Sequence, residues 1–318
     1  MVGQIEITPF HWAAFILVVL LLLSLDLGVF HRRAHVVRFR EALAWTTVWF
    51  LLSLGFCASL IRLRNRDEAL EFFTGYIIEL SLSMDNVFVI AVIFDYFRVP
   101  LKYQHRVLFW GILGALIMRG VMIGAGAAAI DRFDWLLYVL GAFLIFTGAK
   151  VIFLGDEAPD PGRNVVLRLA RRLFPVTEEF RGQSLFAPLN GRTALTPLAL
   201  VLLMVETTDL VFAVDSIPAI FAVTKKPFIV FTSNVFAILG LRSLYFVLAG
   251  AIRYFRYLKI GLSIVLCSIG TKMLLGAWDI DLVITTSLAV VASIILTSIA
   301  FSVIIARRET GAGEQGRK

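Results

Sequence analysis

Nine stretches of about 20 apolar residues, separated by short charged connections, leave this chain few ways to fold. Each is long enough to cross a bilayer as one helix, and in lipid only a helix or a closed barrel satisfies its own backbone. The stretches run at about Trp12 to Phe30, Ala42 to Ile61, Phe72 to Phe94, Val107 to Ile130, Trp135 to Leu154, Pro197 to Val223, Phe228 to Ala249, Leu258 to Leu275 and Val283 to Ile305. A soluble protein would spread its charges through every helix; here the charged 17% collect between the apolar blocks. The expected fold is all-α, one polytopic membrane domain over residues 1–318 with about nine transmembrane helices.

Lys and Arg in the connections set the orientation. With the N-terminus outside, the inner segments hold 20 of them and the outer segments 6. Arg32, Arg33, Arg38 and Arg40 lead the inner set; Arg62, Arg64 and Arg66 lead the outer one. The chain is therefore expected in a bacterial inner membrane, N-terminus outside and C-terminus cytoplasmic. The net charge of +7 is a topology signal, and its residues form no aromatic-interleaved patch, which argues against a nucleic-acid partner. No Lys or Arg precedes the first block and no small-residue cleavage pattern follows it, so it is expected to persist as a helix rather than serve as a signal peptide. Cys57 and Cys267 lie inside apolar blocks and read as small core residues.

The longest connection, residues 155–196, is expected to be a cytoplasmic loop. It contains Pro159, Pro161, Pro175 and Pro188, and a segment from Asn164 to Phe174 where Val166, Leu169, Ala170 and Leu173 oppose Arg168, Arg171 and Arg172. A short helix on the inner leaflet and a solvated basic loop fit this segment equally.

Two parts of the chain match each other. Asp85-Asn86-Val87-Phe88-Val89 resembles Asp209-Leu210-Val211-Phe212-Ala213 at an offset of 124, and Arg119 corresponds to Arg242 at 123. Phe133-Asp134-Trp135-Leu136 pairs with Phe255-Arg256-Tyr257-Leu258, and Thr147-Gly148-Ala149-Lys150 with Ile269-Gly270-Thr271-Lys272, both at 122. A nearly constant offset marks an internal repeat, residues 71–154 and 197–275. With three helices in each, the second repeat must enter the membrane from the opposite side. Such inverted repeats are characteristic of secondary transporters, whose substrate site lies near the midplane between them.

Charges in hydrocarbon cost about 2.5–3.5 kcal/mol each on insertion scales, so the acids in two of these helices need a compensating role. The third helix carries Glu79, Asp85 and Asn86; the sixth carries Glu206, Asp209 and Asp215. One reading is permanent pairing with Arg119 and Arg242 in the following helices. The other is a cation site, with Asp85 and Asp209 brought together by the inverted symmetry and both arginines compensating them when the cation is absent. On a regular helix Glu206 and Asp209 are roughly 60° apart, whereas Asp215 is roughly 120° from Asp209. A break at Pro218 would swing Asp215 inward and free the Val214 carbonyl; a plain kink fits equally well. Every candidate offers oxygen, which suits Mg²⁺, Ca²⁺ and Mn²⁺ without separating them. Asn86, Ser233 and Asn234 fit either an ion's shell or helix-to-helix hydrogen bonds. His11, His31, His35 and His105 sit at helix ends, where solvated side chains are expected.

The segments Glu79-Leu80-Ser81-Leu82-Ser83-Met84-Asp85-Asn86-Val87-Phe88-Val89 and Glu206-Thr207-Thr208-Asp209-Leu210-Val211-Phe212-Ala213-Val214-Asp215-Ser216-Ile217-Pro218-Ala219-Ile220 resemble the two signatures of the TerC family. Thr232-Ser233-Asn234-Val235-Phe236-Ala237-Ile238-Leu239-Gly240-Leu241-Arg242 resembles it too, with the bacterial Alx-like branch most similar, and the likeness covers roughly Ala42 to Ile305. Thr207-Thr208 departs from the Leu-Ser of many members but keeps a hydroxyl beside Asp209. The resemblance implies Mn²⁺ efflux, an association with tellurium resistance or alkaline response, and in some members a partnership with secretion machinery. It carries the family's acidic membrane positions over to Asp85, Glu206, Asp209 and Asp215 as metal ligands, while Glu79, Asn86, Asn234, Arg119 and Arg242 are expected from their own chemistry and placement to support them or exchange protons. This resemblance, and not the spacing, selects Mn²⁺.

The expected function is thus a secondary transporter and not an enzyme, with Mn²⁺ as cargo, protons as coupling ion and no permanently bound cofactor. Exporting a divalent ion against about 100 mV costs roughly 4.6 kcal/mol. No Gly-x-x-x-x-Gly-Lys-Ser/Thr loop points to ATP as the source, and clustered carboxylates can release a metal by accepting protons. On this reading Asp209 and Asp215 bind the metal and Glu206 or Glu79 exchanges protons. A non-transporting scaffold that recruits secretion or metalation machinery through the long loop is the competing class. An amino-acid or anion exporter on the same plan also stays open, whereas an intramembrane hydrolase lacks its His-Glu-x-x-His or Ser/His arrangement.

Overall fold

A computed structural model describes residues 7–25, 39–154, 164–189, 191–249, 258–278 and 283–315. Its helices are α1 (Pro9–Leu25), α2 (Phe39–Leu63), α3 (Arg66–Tyr96), α4 (Leu101–Arg132), α5 (Leu136–Leu154), α6 (Val165–Leu173), α7 (Pro197–Phe221), α8 (Pro227–Ala249), α9 (Leu258–Leu275) and α10 (Ile284–Gln315). Eight of them are long and apolar enough to cross a membrane, and α1 is apolar but shorter, so the expected nine spans are eight plus one shorter helix among the described residues. His31, His35, Arg32, Arg33, Arg38, Pro159, Pro161, Arg163, Arg253 and the repeat landmark 255–257 lie outside them.

Local chemistry explains the helix ends. Asn65 caps α3 by accepting from the Glu68 amide at 2.7 Å, which starts the helix six residues before the expected Phe72. Thr196 caps α7 and Pro197 occupies its first turn, where a missing N–H costs nothing. Of the two readings at Pro218, the break is absent: α7 runs on to Phe221. Only three helical residues follow the proline, so it withdraws one backbone bond in the last turn without splitting the helix.

The inside of the bundle is α8, buried along nearly its whole length, while α2, α5 and α10 expose most of their apolar surface. Leu17, Leu51, Val121, Phe146, Leu296 and Phe301 all point outward; lipid is the medium that can cover such a surface. Between the two triplets, α3 packs on α7, α8 and α9, α4 on α7 and α8, and α5 on α7 and α9. Exchanging α3 with α7, α4 with α8 and α5 with α9 returns the same set of contacts. The α5–α9 crossing shows this at the residue level. A Cβ on Gly148 would lie 2.6 Å from the Ser263 carbonyl and 2.7 Å from Cys267 Sγ. One on Gly270 would lie 2.5 Å from the Gly141 carbonyl and 2.8 Å from Ile145. Gly148, Ser263 and Cys267 map onto Gly270, Gly141 and Ile145 by the offset of 122, and only glycine permits this approach at both places.

The connection between α5 and α7 is more ordered than a loop. It contains α6 and an antiparallel hairpin, β1 (Phe186–Leu189) with β2 (Arg192–Leu195), so the all-α expectation acquires two short strands. Leu189 pairs with Arg192, and Gly191 before β2 has the positive φ of 75° that glycine adopts without steric cost.

Candidate functional site

Arg119 of α4, 1% exposed, is the centre of a charged cluster inside the bundle. Its Nη2 donates to Asp209 Oδ1 at 2.9 Å and its Nε to Asp209 Oδ2 at 3.2 Å, a two-pronged grip on α7. Its Nη1 donates to Glu79 Oε1 of α3 and, at 3.2 Å, to Ser216 Oγ. Asn86 Nδ2 adds a further hydrogen bond to Asp209 Oδ1 at 3.2 Å. Helical spacing makes this convergence: Glu79 and Asn86 are seven residues apart on α3, Asp209 and Ser216 seven apart on α7, and seven residues return to nearly the same face. One guanidinium thus serves two carboxylates, and the buried Glu79 Oε2, Asn86 Oδ1 and Ser83 Oγ have no hydrogen-bond partner.

The other expected residues stand around this cluster. Glu206, half-buried one turn before Asp209, sets its carboxylate in a notch of α4 that Gly114 leaves open; a Cβ at Gly114 would overlap it. Its Oε2 is buried without a partner. Asp85 is half-buried and about 100° around α3 from Asn86. Asp215 is also half-buried, and since α7 stays regular it keeps its 120° separation from Asp209; Ser216 takes the place expected of it. Arg242 is 7% exposed on α8. Asn234, 1% exposed on the same helix, has neither its side-chain oxygen nor its nitrogen hydrogen-bonded, while Ser233 donates to the Val230 carbonyl at 3.1 Å. Among the described residues no group of three or more His, Cys, Asp or Glu is placed to hold one metal ion. Arg119 sits between Glu79 and Asp209, where such a group would have to close.

Ser216 was the residue that sequence reasoning missed, although its position seven after Asp209 was a readable signal. His105 corrects another expectation: it is 2% exposed in α4 and not solvated. His11 is half-buried beside Thr8 Oγ1 at 2.9 Å. The free thiols of Cys57 and Cys267 point at the Ala69 and Ile145 carbonyls, at 3.4 and 3.8 Å.

A second ionic group lies where α2 turns into α3. Arg64 grips Glu68 through Nε at 2.7 Å and Nη2 at 2.8 Å, and this carboxylate raises the Arg64 pKa above its ordinary value. Lys226, from the α7–α8 connection, reaches Glu68 at 3.4 Å and Glu71 at 3.1 Å, and Thr224 Oγ1 donates to Glu71 Oε2 at 2.8 Å.

The family model described as "Integral membrane protein TerC family" matches residues 64–310. A Myxococcus xanthus protein named "Uncharacterized membrane protein STKORF319" is 53% identical over 300 residues, 94% of each chain. An Escherichia coli K12 protein named "Putative membrane-bound redox modulator Alx" is 47% identical over 277 residues, 84% of this chain and 86% of its own. A Rickettsia bellii membrane protein is 39% identical over 293 residues, 92% of this chain and 97% of its own. No solved structure matches. With the family model spanning the bundle from Arg64 through α10 and these relatives aligned over most of their length, the chain belongs to the TerC family of integral membrane proteins.

Proposed function

We propose that the chain is a secondary transporter that exports a divalent cation, Mn²⁺, across the bacterial inner membrane in exchange for protons. The observation that carries this reading is the single guanidinium of Arg119 shared between Glu79 of α3 and Asp209 of α7. Around Arg119, among the described residues, two buried carboxylates share one guanidinium, a local deficit of positive charge. In a medium of low dielectric that deficit strongly favours a second cation. Asp209 is the ligand common to the arginine and the metal, so metal entry requires Arg119 to let go of it. The exchange of helix contacts around α5 and α9 supports two repeats moving against each other about this site.

The steps on this reading are local. Mn²⁺ enters from the cytoplasmic side, Asp209 turns from Arg119 to the ion, and Asp85, Asp215 and Glu206 supply further carboxylate oxygen. Opening outward admits protons, Glu206 or Glu79 accepts one, and the weakened carboxylate set releases the ion. Arg119 then recaptures Asp209 and holds the empty site neutral enough to turn back. Selection of Mn²⁺ among hard divalent ions rests on the family likeness.

Mn²⁺ uptake into inside-out vesicles tests the proposal. The wild-type protein should accumulate Mn²⁺ when a proton gradient is imposed and release protons as it does so, Asp209→Asn should abolish uptake, and Glu206→Gln should weaken the dependence on the gradient. Equal rate and extent with the gradient collapsed, and no accompanying pH change, would remove antiport. If Asp209→Asn transports normally while deletion of residues 163–181 destroys function, the scaffold reading replaces the transporter.

A further inference from the structure

The helix α6 carries more apolar surface than its own packing uses. Leu167 and Ala170 are buried in a cluster with Leu195 at the end of β2 and Ala199 and Leu200 at the start of α7. Val165, Val166, Leu169 and Leu173 remain 73%, 41%, 52% and 64% exposed. On a regular helix those four positions fall within roughly 100°, and the exposed Arg171 and Arg172 occupy the adjoining arc. The helix contains no acidic residue. It therefore has three distinct strips: one seated on α7, one apolar and uncovered, one cationic.

Water is a poor neighbour for the uncovered strip, and its place in the fold says what else is there. The packed strip binds α6 along the first turns of α7, a helix long and apolar enough to cross a membrane. Because Asn164 at its N-terminal end reaches Thr207, ten residues into α7, α6 runs back along α7 and its open strip follows that helix outward toward the head groups. We infer that α6 docks into the membrane beside α7, with Val165, Val166, Leu169 and Leu173 among the acyl chains and Arg171 and Arg172, at its end nearest the start of α7, meeting the phosphates of anionic phospholipids. Free phosphate could satisfy the arginines but could not cover the apolar strip, so the lipid surface is the occupant that fits both.

The docked helix is also tied to the charged cluster. Asn164 caps α6 by accepting from the Leu167 amide at 2.9 Å, and its Nδ2 donates to Thr207 Oγ1 at 3.1 Å. Thr207 lies between Glu206 and Asp209 on α7. Contact with anionic lipid therefore braces the turn that presents both carboxylates, and this docking stands whether or not the transport reading does.

The test uses the full chain with Cys57→Ser and Cys267→Ser, carrying Leu169→Cys labelled with an environment-sensitive fluorophore. It is reconstituted in phosphatidylethanolamine–phosphatidylglycerol vesicles and in phosphatidylcholine vesicles. Blue-shifted emission, quenched by lipid-borne nitroxide, is expected in the anionic vesicles and less of both in the zwitterionic ones. Arg171→Gln and Arg172→Gln should each lower the docked-to-undocked ratio about fivefold, high salt should act the same way, and added inorganic phosphate should not compete at equal ionic strength. Water-like emission in both compositions would overturn the proposal and leave the strip to a protein partner. Equal burial in both compositions, indifferent to the arginines, would overturn the anionic part of it.

Discussion

The two ionic groups built on α3 use the same kinds of residue to opposite ends. At the α2–α3 turn, Glu68 and Glu71 meet two cations, Arg64 and Lys226, and Thr224 completes Glu71. Within the bundle, Glu79 and Asp209 share one cation, Arg119, and buried oxygens of Glu79, Asn86 and Glu206 are left without partners. The first group is balanced, and its Lys226 is 42% exposed to solvent that screens it. It behaves as a clasp between two corners of the fold. The second is unbalanced and shut away, a costly arrangement for structure alone. The difference marks the second group as the candidate site, because two buried carboxylates there hold one guanidinium between them.

Substitutions at the two groups should separate them by size of effect. Arg119→Gln strands two buried carboxylates and is expected to cost about 3–5 kcal/mol, with millimolar Mn²⁺ recovering part of the lost thermal stability in detergent and raising Tm more than in the wild type. A variant as stable as the wild type, with no Mn²⁺ response, would end the claim of imbalance. Gly114→Ala comes next: the added methyl overlaps the Glu206 carboxylate, and displacing it should cost about 1–3 kcal/mol and slow Mn²⁺ uptake. Normal uptake would show that the notch is mere packing.

Ser216→Ala removes one hydrogen bond to Arg119 at a cost of about 1 kcal/mol. Unfolding curves should shift by that amount for Ser216→Ala, because Ser216 Oγ accepts from Arg119 Nη1; an unmoved curve would mean that α7 turns relative to α4. The smallest effect belongs to the balanced group. Lys226→Gln should lower stability by about 0.2–1 kcal/mol, more at low salt than at high, and leave Mn²⁺ uptake unchanged. A loss of uptake there would make the clasp part of the transport cycle.

Much of this was legible in the residues themselves. Apolar stretches of bilayer length have one economical conformation, so the membrane helices could be read from α2 onward with starts off by nearly two turns where Asn65 or Pro100 begins a helix early. The list of intramembrane acids and arginines was equally plain, because a charge in hydrocarbon stands out whatever surrounds it. The offset of 122–124 named the counterparts that meet across the α5–α9 crossing. What the sequence could not decide is direction. Whether Arg119 turns to Asp209, whether Ser216 or Asp215 lies in its reach, and whether Gly114 opens a notch for Glu206 all depend on how each helix is rotated against its neighbours. That rotation is set by the summed packing of several helices at once, a property of no single segment. The sequence by itself determined that this protein lives in a membrane, repeats several of its motifs at a nearly fixed offset and carries charge inside; only the tertiary structure decided that Glu79 and Asp209 meet at Arg119.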